Sequence, residues 1–152
     1  MKKLFILTFA LLFSASVVWA DDNKGLISKK SLHSVKVTLD RLEKVLKKKD
    51  ITIVTRWSHD KGGKKVGIPL LPTELLIFGN PRMGTHFFTS NQTAGIDLPM
   101  KALAWKDAQG QVWLTYNDPQ HIADRHGIKD RADIVKKMTN ALDKMTTAAV
   151  SK

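Results

Sequence analysis

PTELLIFGNPRMGTHFFTSNQTAGIDLPMKALAW, residues Pro72 to Trp105, holds two apolar runs with a polar segment between them, entered through Gly79-Asn80-Pro81 and left through Asp97-Leu98-Pro99. Glu74 to Gly79 is the most apolar run outside the N-terminal stretch, and its length suits a buried central strand. Asn80-Pro81 ends it. Met83 to Asn91 reads as a short helix with Thr85 near its start, and Gly95 marks the exit into extended Ile96 to Pro99. Met100 to Lys106 and Gln111 to Tyr116 are two further strands, joined by Asp107-Ala108-Gln109-Gly110 in a tight hairpin. In the second, Val112, Leu114 and Tyr116 face one way and Trp113 and Thr115 the other.

Upstream, Leu32 to Val37 alternates as a short strand that stops at Thr38, which N-caps a helix lined by Leu39, Leu42, Val45 and Leu46. Lys47 to Lys49 sit at the negative end of its dipole. Ile51 to Trp57 is a strand with Ile51, Ile53, Thr55 and Trp57 on one side. Ser58 to Gly67 carries Gly62-Gly63 and is as readily a loop as a weak helix, since each glycine costs a helix roughly 1 kcal/mol. Downstream, Asp118-Pro119 starts a short helix that Gly127 stops. A last helix begins at Asp130, with Ile134, Val135, Met138, Ala141, Leu142 and Met145 at helical spacing. Hairpin-linked strands with helices at the ends predict an α+β domain: an antiparallel-rich sheet of about five strands with helices packed on one face.

The N-terminus is read separately. Lys2 and Lys3 precede an apolar run from Leu4 to Val17, and Val18-Trp19-Ala20 is a small-x-small cleavage pattern before Asp21-Asp22. The expectation is a signal peptide over residues 1–20, cleaved after Ala20, and a periplasmic or secreted protein with no stable membrane insertion afterwards. Residues 21–30 are expected to be a flexible leader, 31–146 one domain and 147–152 a frayed tail. There is no cysteine, which removes disulfides, lipoprotein acylation, thiol catalysis and thiolate metal sites. Without Lys2 and Lys3 the 25 basic residues become 23 against 14 acidic, a net charge of +9. In an exported protein such a charge points away from nucleic acid and towards an anionic envelope surface or an acidic partner, although many of the lysines also serve to solvate helix faces.

The segments VKVTLDRLEKVLKKKDITIVTRWSHD, GIPLLPTELLIFGNPRMGT, GIDLPMKALAWKDAQGQVWLTYNDP and IADRHGI resemble the bacterial domain-of-unknown-function family 302, from about Ser31 to Met145. The Phe78-Gly79-Asn80-Pro81-x-x-Gly84-Thr85 and Asp97-Leu98-Pro99-x-Lys101 motifs carry the resemblance. It implies a compact, self-associating α+β fold and no assigned activity. Family members continue from the histidine matching His59 with small helix formers, where this chain has Lys61-Gly62-Gly63-Lys64-Lys65.

Candidate ligand-binding residues are His59, Asn80, Arg82, Thr85, His86, Asp97 and Lys101, expected at one end of the sheet. Asn80 and Thr85 offer hydrogen bonds, Arg82 and Lys101 suit an anionic group, and His59 with Asp97 can share a proton. The plainer alternative has Asn80 and Thr85 capping turns, Asp97 accepting backbone donors and Lys101 pairing with Asp97. Met83, His86 and Met100 form a conceivable copper(I) set but read more simply as core fillers. His121 and His126 lie about 140° apart round a helix and cannot chelate from one face, and no HExxH, G-x-S-x-G or phosphate-loop spacing occurs. Trp57, Trp105, Trp113 and Tyr116 stack a flat ligand or, as strand residues, fill the core and cover the sheet. No metal, cofactor or catalytic residue is assigned. The expectation is a domain that binds a small anionic ligand or a protein partner without catalysis, the alternatives being an acid/base enzyme built on His59 and Asp97 and a self-associating homodimer.

Overall fold

The hairpin at Asp107–Gly110 connects the central strand of the sheet to its neighbour. It joins β4 (Met100–Lys106) to β5 (Val112–Asn117), which pair antiparallel with Ala102 opposite Tyr116 and Trp105 opposite Trp113. Adding β1 (Leu26–Ser31), β2 (Thr52–Ser58) and β3 (Thr73–Gly79) gives one five-stranded antiparallel sheet in the order β1-β5-β4-β3-β2. The computed structural model describes residues 25–152, so the expected signal peptide lies outside the described residues. Helices α1 (Val35–Lys47), α2 (His59–Lys65), α3 (Pro81–Ser90), α4 (Pro119–Arg125) and α5 (Ala132–Val150) and a 3₁₀ turn at Gln92–Ile96 complete the α+β domain.

Strand alternation sorts the sheet into two faces. Leu76, Phe78, Met100, Ala102, Ala104, Val112, Leu114 and Tyr116 are buried on the inner face. Over them lie α1, through Val35, Leu39, Leu42 and Leu46, and α5, through Val135, Met138, Leu142, Met145 and Ala149. The two fully buried alanines of β4 leave α1 room to lie close over the central strand. On the outer face Trp105 stacks on Trp113 with ring centroids 6.3 Å apart. Their indole N–H groups donate to Thr115 Oγ1 at 2.9 Å and to Asp107 Oδ2 at 2.8 Å, so these aromatics cover the sheet. Tyr116 fills the core.

Four local expectations are corrected. Residues 26–30 are the edge strand β1, not a leader: Leu26 to Ser31 pair with Asn117 to Val112, and an edge strand tolerates the lysines that made the segment look unstructured. Lys29, for instance, lays its stem along the domain and donates to Asp143 at 2.7 Å. Leu32 to Val37 is not a strand; Ser34 Oγ accepts from Val37 N–H at 3.3 Å and caps α1, while Thr38 is buried and joins Ser31 Oγ at 2.7 Å. The stretch is too short for alternation to exclude a helix start.

β2 carries a bulge at Val54, between Ile53 and Thr55, so the facing reverses beyond it. Arg56 therefore turns inward, and Trp57 is left 60% exposed. The tail does not fray at 147: α5 runs to Val150, with Ala149 and Val150 buried and Leu32 N–H donating to the Val150 carbonyl at 3.0 Å. Arg41 donates to the carbonyls of Ala149 at 3.1 Å and Ala148 at 3.0 Å, a cation where the helix dipole is negative.

Arg56 closes β2 onto α1. Its guanidinium donates to Glu74 Oε2 at 2.6 Å, Asp40 Oδ1 at 2.7 Å and Glu43 Oε1 at 3.2 Å. Hydrogen bonds from Lys36 and Arg56 hold the Asp40 carboxyl below its ordinary range. Arg56→Met is expected to cost about 2 kcal/mol at neutral pH, because three carboxylates then lose their shared partner. Asp60, Asp107 and Asp130 are also lowered, chiefly by bonds from Ser58, Trp113 and Ser90 respectively. A carboxyl lowered by folding stabilises fully above its unfolded value and loses that contribution as pH falls through the folded one. Thermal melting should thus hold near neutrality and decline below about pH 4, with the Arg56→Met deficit shrinking over the same window.

Candidate functional site

The end of the sheet where β3 gives way to α3 contains a cavity, and local sequence explains it. Asn80 Oδ1 accepts from Arg82 N–H at 2.9 Å and, with Pro81 at the first helical position, starts α3 immediately after the strand. Pro99 follows a cis peptide and packs against Gly79, where a Cβ would come within 3.2 Å of the proline ring. α3 is thereby carried across the sheet end and away from the middle of α5. The space between them is a cavity of about 550 Å³, within the range of small-molecule sites.

Its lining is mostly apolar: Ile51 and Val54 from the β2 side, Phe78, Met83, Phe88, Leu98, Met100, and Met138, Ala141, Leu142 and Met145 from α5. All four methionines that follow Met1 are among these residues. Unbranched thioether side chains adapt to irregular guests. The polar members are few: Asn80, Thr52, Thr85, and the exposed lysines Lys49 and Lys137. Neither lysine makes an ion pair among the described residues. The arrangement is an apolar pocket with positive charge at its edge.

Of the seven residues singled out from sequence, Asn80 and Thr85 line this cavity. Arg82 and His86 are exposed on α3 outside its lining, so the set Met83, His86 and Met100 is not brought together. Lys101 donates to the backbone carbonyls of Asp97 at 3.0 Å and Pro99 at 3.2 Å and so braces that turn. His59 begins α2, at the opposite end of the seven-residue β3 from Asn80, roughly 20 Å of strand away. It does not meet Asp97.

The partner of Asp97 is His126, a residue outside the seven candidates that the sequence offers. Asp97 Oδ2 lies 2.7 Å from His126 Nε2 and Oδ1 lies 3.2 Å from Arg125. The other ring nitrogen of His126 meets Thr93 Oγ1 at 2.8 Å, and Asn91 Nδ2 donates to the His126 carbonyl at 2.9 Å. The imidazole is 6% exposed, with both nitrogens engaged, and it does not line the cavity. This cluster ties the 3₁₀ turn to α4 and fixes the Asp97-Leu98-Pro99 wall of the pocket. No sequence signal joins two residues 29 apart in this way. Among the described residues no three His, Asp or Glu side chains converge as a metal site.

The chain matches the family described as "Domain of unknown function DUF302" over residues 27–145. It is 41% identical over 128 residues to the Fluoride-specific ion channel FluC 1 of Brucella suis biovar 1, a match covering 84% of this chain and 50% of that protein. The identity is the same over 128 residues of FluC 1 from Brucella abortus biovar 1, covering 84% and 47%. The chain spans about half the length of the curated relatives it matches. Among solved structures, an uncharacterized conserved DUF302 protein from Bacillus stearothermophilus shares the fold, with TM-score 0.75 and 16% identity over 84% of this chain and 99% of that one.

Proposed function

The chain belongs to the DUF302 family of unknown function, and for this member we propose that the domain binds, without catalysis, an amphipathic anionic small molecule in the cavity between α3 and α5, in the periplasm. The observation that carries the reading is the pairing of an apolar interior with Lys49 and Lys137 at its edge. An apolar body gains roughly 25 cal/mol per Å² removed from water, and an exposed lysine at the mouth meets a carboxylate or phosphate without a buried-charge penalty. A long-chain acyl carboxylate has this shape and charge. The acid/base alternative is not favoured, because His59 is remote from Asp97 and the carboxylate of Asp97 is engaged by His126 and Arg125.

A fluoride pore is not proposed. No helix among the described residues is long and apolar enough to cross a membrane, and the channel name belongs to relatives of which this chain spans about half. The ligand reading is tested by thermal melting with a chain-length series of carboxylates. A long-chain carboxylate is expected to raise the melting temperature with the logarithm of its concentration, by about 2.7 kcal/mol of added stability at a hundred times its Kd, while acetate does nothing. Lys49→Glu with Lys137→Glu should weaken the effect. Absence of stabilisation across the series, or equal stabilisation by acetate, would overturn the proposal.

A further inference from the structure

At the opposite end of the sheet from the cavity, the segment after α2 presents a row of apolar side chains to solvent. Val66 is 71% exposed and Ile68 62%, and Leu70 and Leu71 are each half exposed. Trp57, at the same end of β2, is also exposed. Such a cluster of large apolar residues on a surface calls for a partner.

The protrusion is built. Ile68 N–H donates to the Gly63 carbonyl at 2.9 Å, Val66 N–H to the same carbonyl at 3.1 Å and Gly67 N–H to Lys64 O at 3.3 Å. The chain folds so closely over α2 that a Cβ at Gly63 would run into the Ile68 carbonyl and the Leu70 side chain. This accounts for a glycine in a helix that it weakens. Lys61, Lys64 and Lys65 are exposed on α2 beside the apolar row, and Lys106 is exposed where its N–H donates to the Pro72 carbonyl at 3.0 Å. The nearby acidic groups are internally engaged: Asp60 by Ser58 Oγ at 2.7 Å, Asp107 by Trp113 and by backbone N–H groups, and Glu74 by Arg56.

We infer that the Val66–Leu71 segment, with Lys61, Lys64 and Lys65, docks the domain peripherally on an anionic lipid surface. Apolar side chains reaching below the headgroups, flanked by lysines level with them and by a tryptophan, are the features that hold a protein at such an interface. The charge argues against a second copy as occupant. In a two-fold pair the patch would meet itself and set three lysines against three lysines.

The test is flotation with vesicles of phosphatidylcholine alone and with phosphatidylglycerol replacing about a third of it. The protein is expected to float with the anionic vesicles, not with the neutral ones, and to detach as salt is raised. Lys64→Glu with Lys65→Glu, and separately Ile68→Ser with Leu71→Ser, should each weaken binding by about tenfold or more while melting stays unchanged, since all four side chains are solvent-facing. Parent and variants are compared as the same chain beginning at Asp21, without the apolar N-terminal run, so the difference reads this surface alone. Failure to float, equal binding to neutral vesicles, or variants that bind like the parent would overturn the inference. So would a dimer in solution that Ile68→Ser with Leu71→Ser disperses, because the occupant would then be a second copy.

Discussion

Replacing Phe87 with alanine is expected to destabilise the domain by about 3–5 kcal/mol and to lower its melting temperature by roughly 10–20 °C. Phe87 is fully buried and is the one buried residue of α3, so it is the anchor by which that helix is held down. Truncation removes a large apolar surface and leaves a void that the half-buried neighbours cannot close. Against a typical total of about 5–15 kcal/mol, the loss takes much of the stability away. Phe88, the next residue, lines the cavity and is only partly buried, so Phe88→Ala should cost clearly less. Denaturant unfolding of the two variants checks the pair. Equal costs would mean that α3 is not anchored as described.

Gly84→Leu is expected to abolish ligand binding, with affinity falling about 100-fold or more, while leaving the fold as stable as before or more so. Gly84 lies on α3 in the cavity lining, and a Cβ there would meet the Phe88 ring at 3.8 Å, an ordinary van der Waals distance. The backbone therefore accepts a side chain, and the helix gains roughly 1 kcal/mol from losing a glycine. The added butyl group takes space a ligand needs. Displacement of a fluorescent fatty acid, run beside melting curves, separates the two effects. A folded Gly84→Leu protein that binds like its parent would show that the ligand sits elsewhere.

What sequence revealed of the fold followed from strong local chemistry. Val112-x-Leu114-x-Tyr116 faces inward as its alternation requires, Asp118 caps α4 through its bond to Gln120 N–H, and Gly127 has the positive φ of 63° that ends that helix. Where local signals were weak, tertiary context decided. Ser34, not Thr38, starts α1, because burial of Val35 and Thr38 against the core outweighs a six-residue alternation. The bulge at Val54 leaves no composition mark, yet it turns Arg56 to the core and Trp57 to solvent.

The candidate site was half legible. Turn chemistry points to Asn80 and Thr85, which line the cavity, but it cannot tell which ends of a sheet come together, and so it groups His59 with residues a strand's length away. The stripe Met138, Ala141, Leu142 and Met145 read as core. Periodicity reports which side of a helix avoids water, and a packed neighbour and an apolar cavity satisfy it equally.

Those methionines give the central claim its most direct measurement. The methyl resonances of methyl-labelled methionine report Met83, Met100, Met138 and Met145, all four of them lining the cavity. Titration with a long-chain carboxylate is predicted to shift all four along one saturable curve, and Gly84→Leu to suppress the change. Resonances that stay in place while the carboxylate is shown to bind, or that drift without saturating, would contradict a ligand site between α3 and α5.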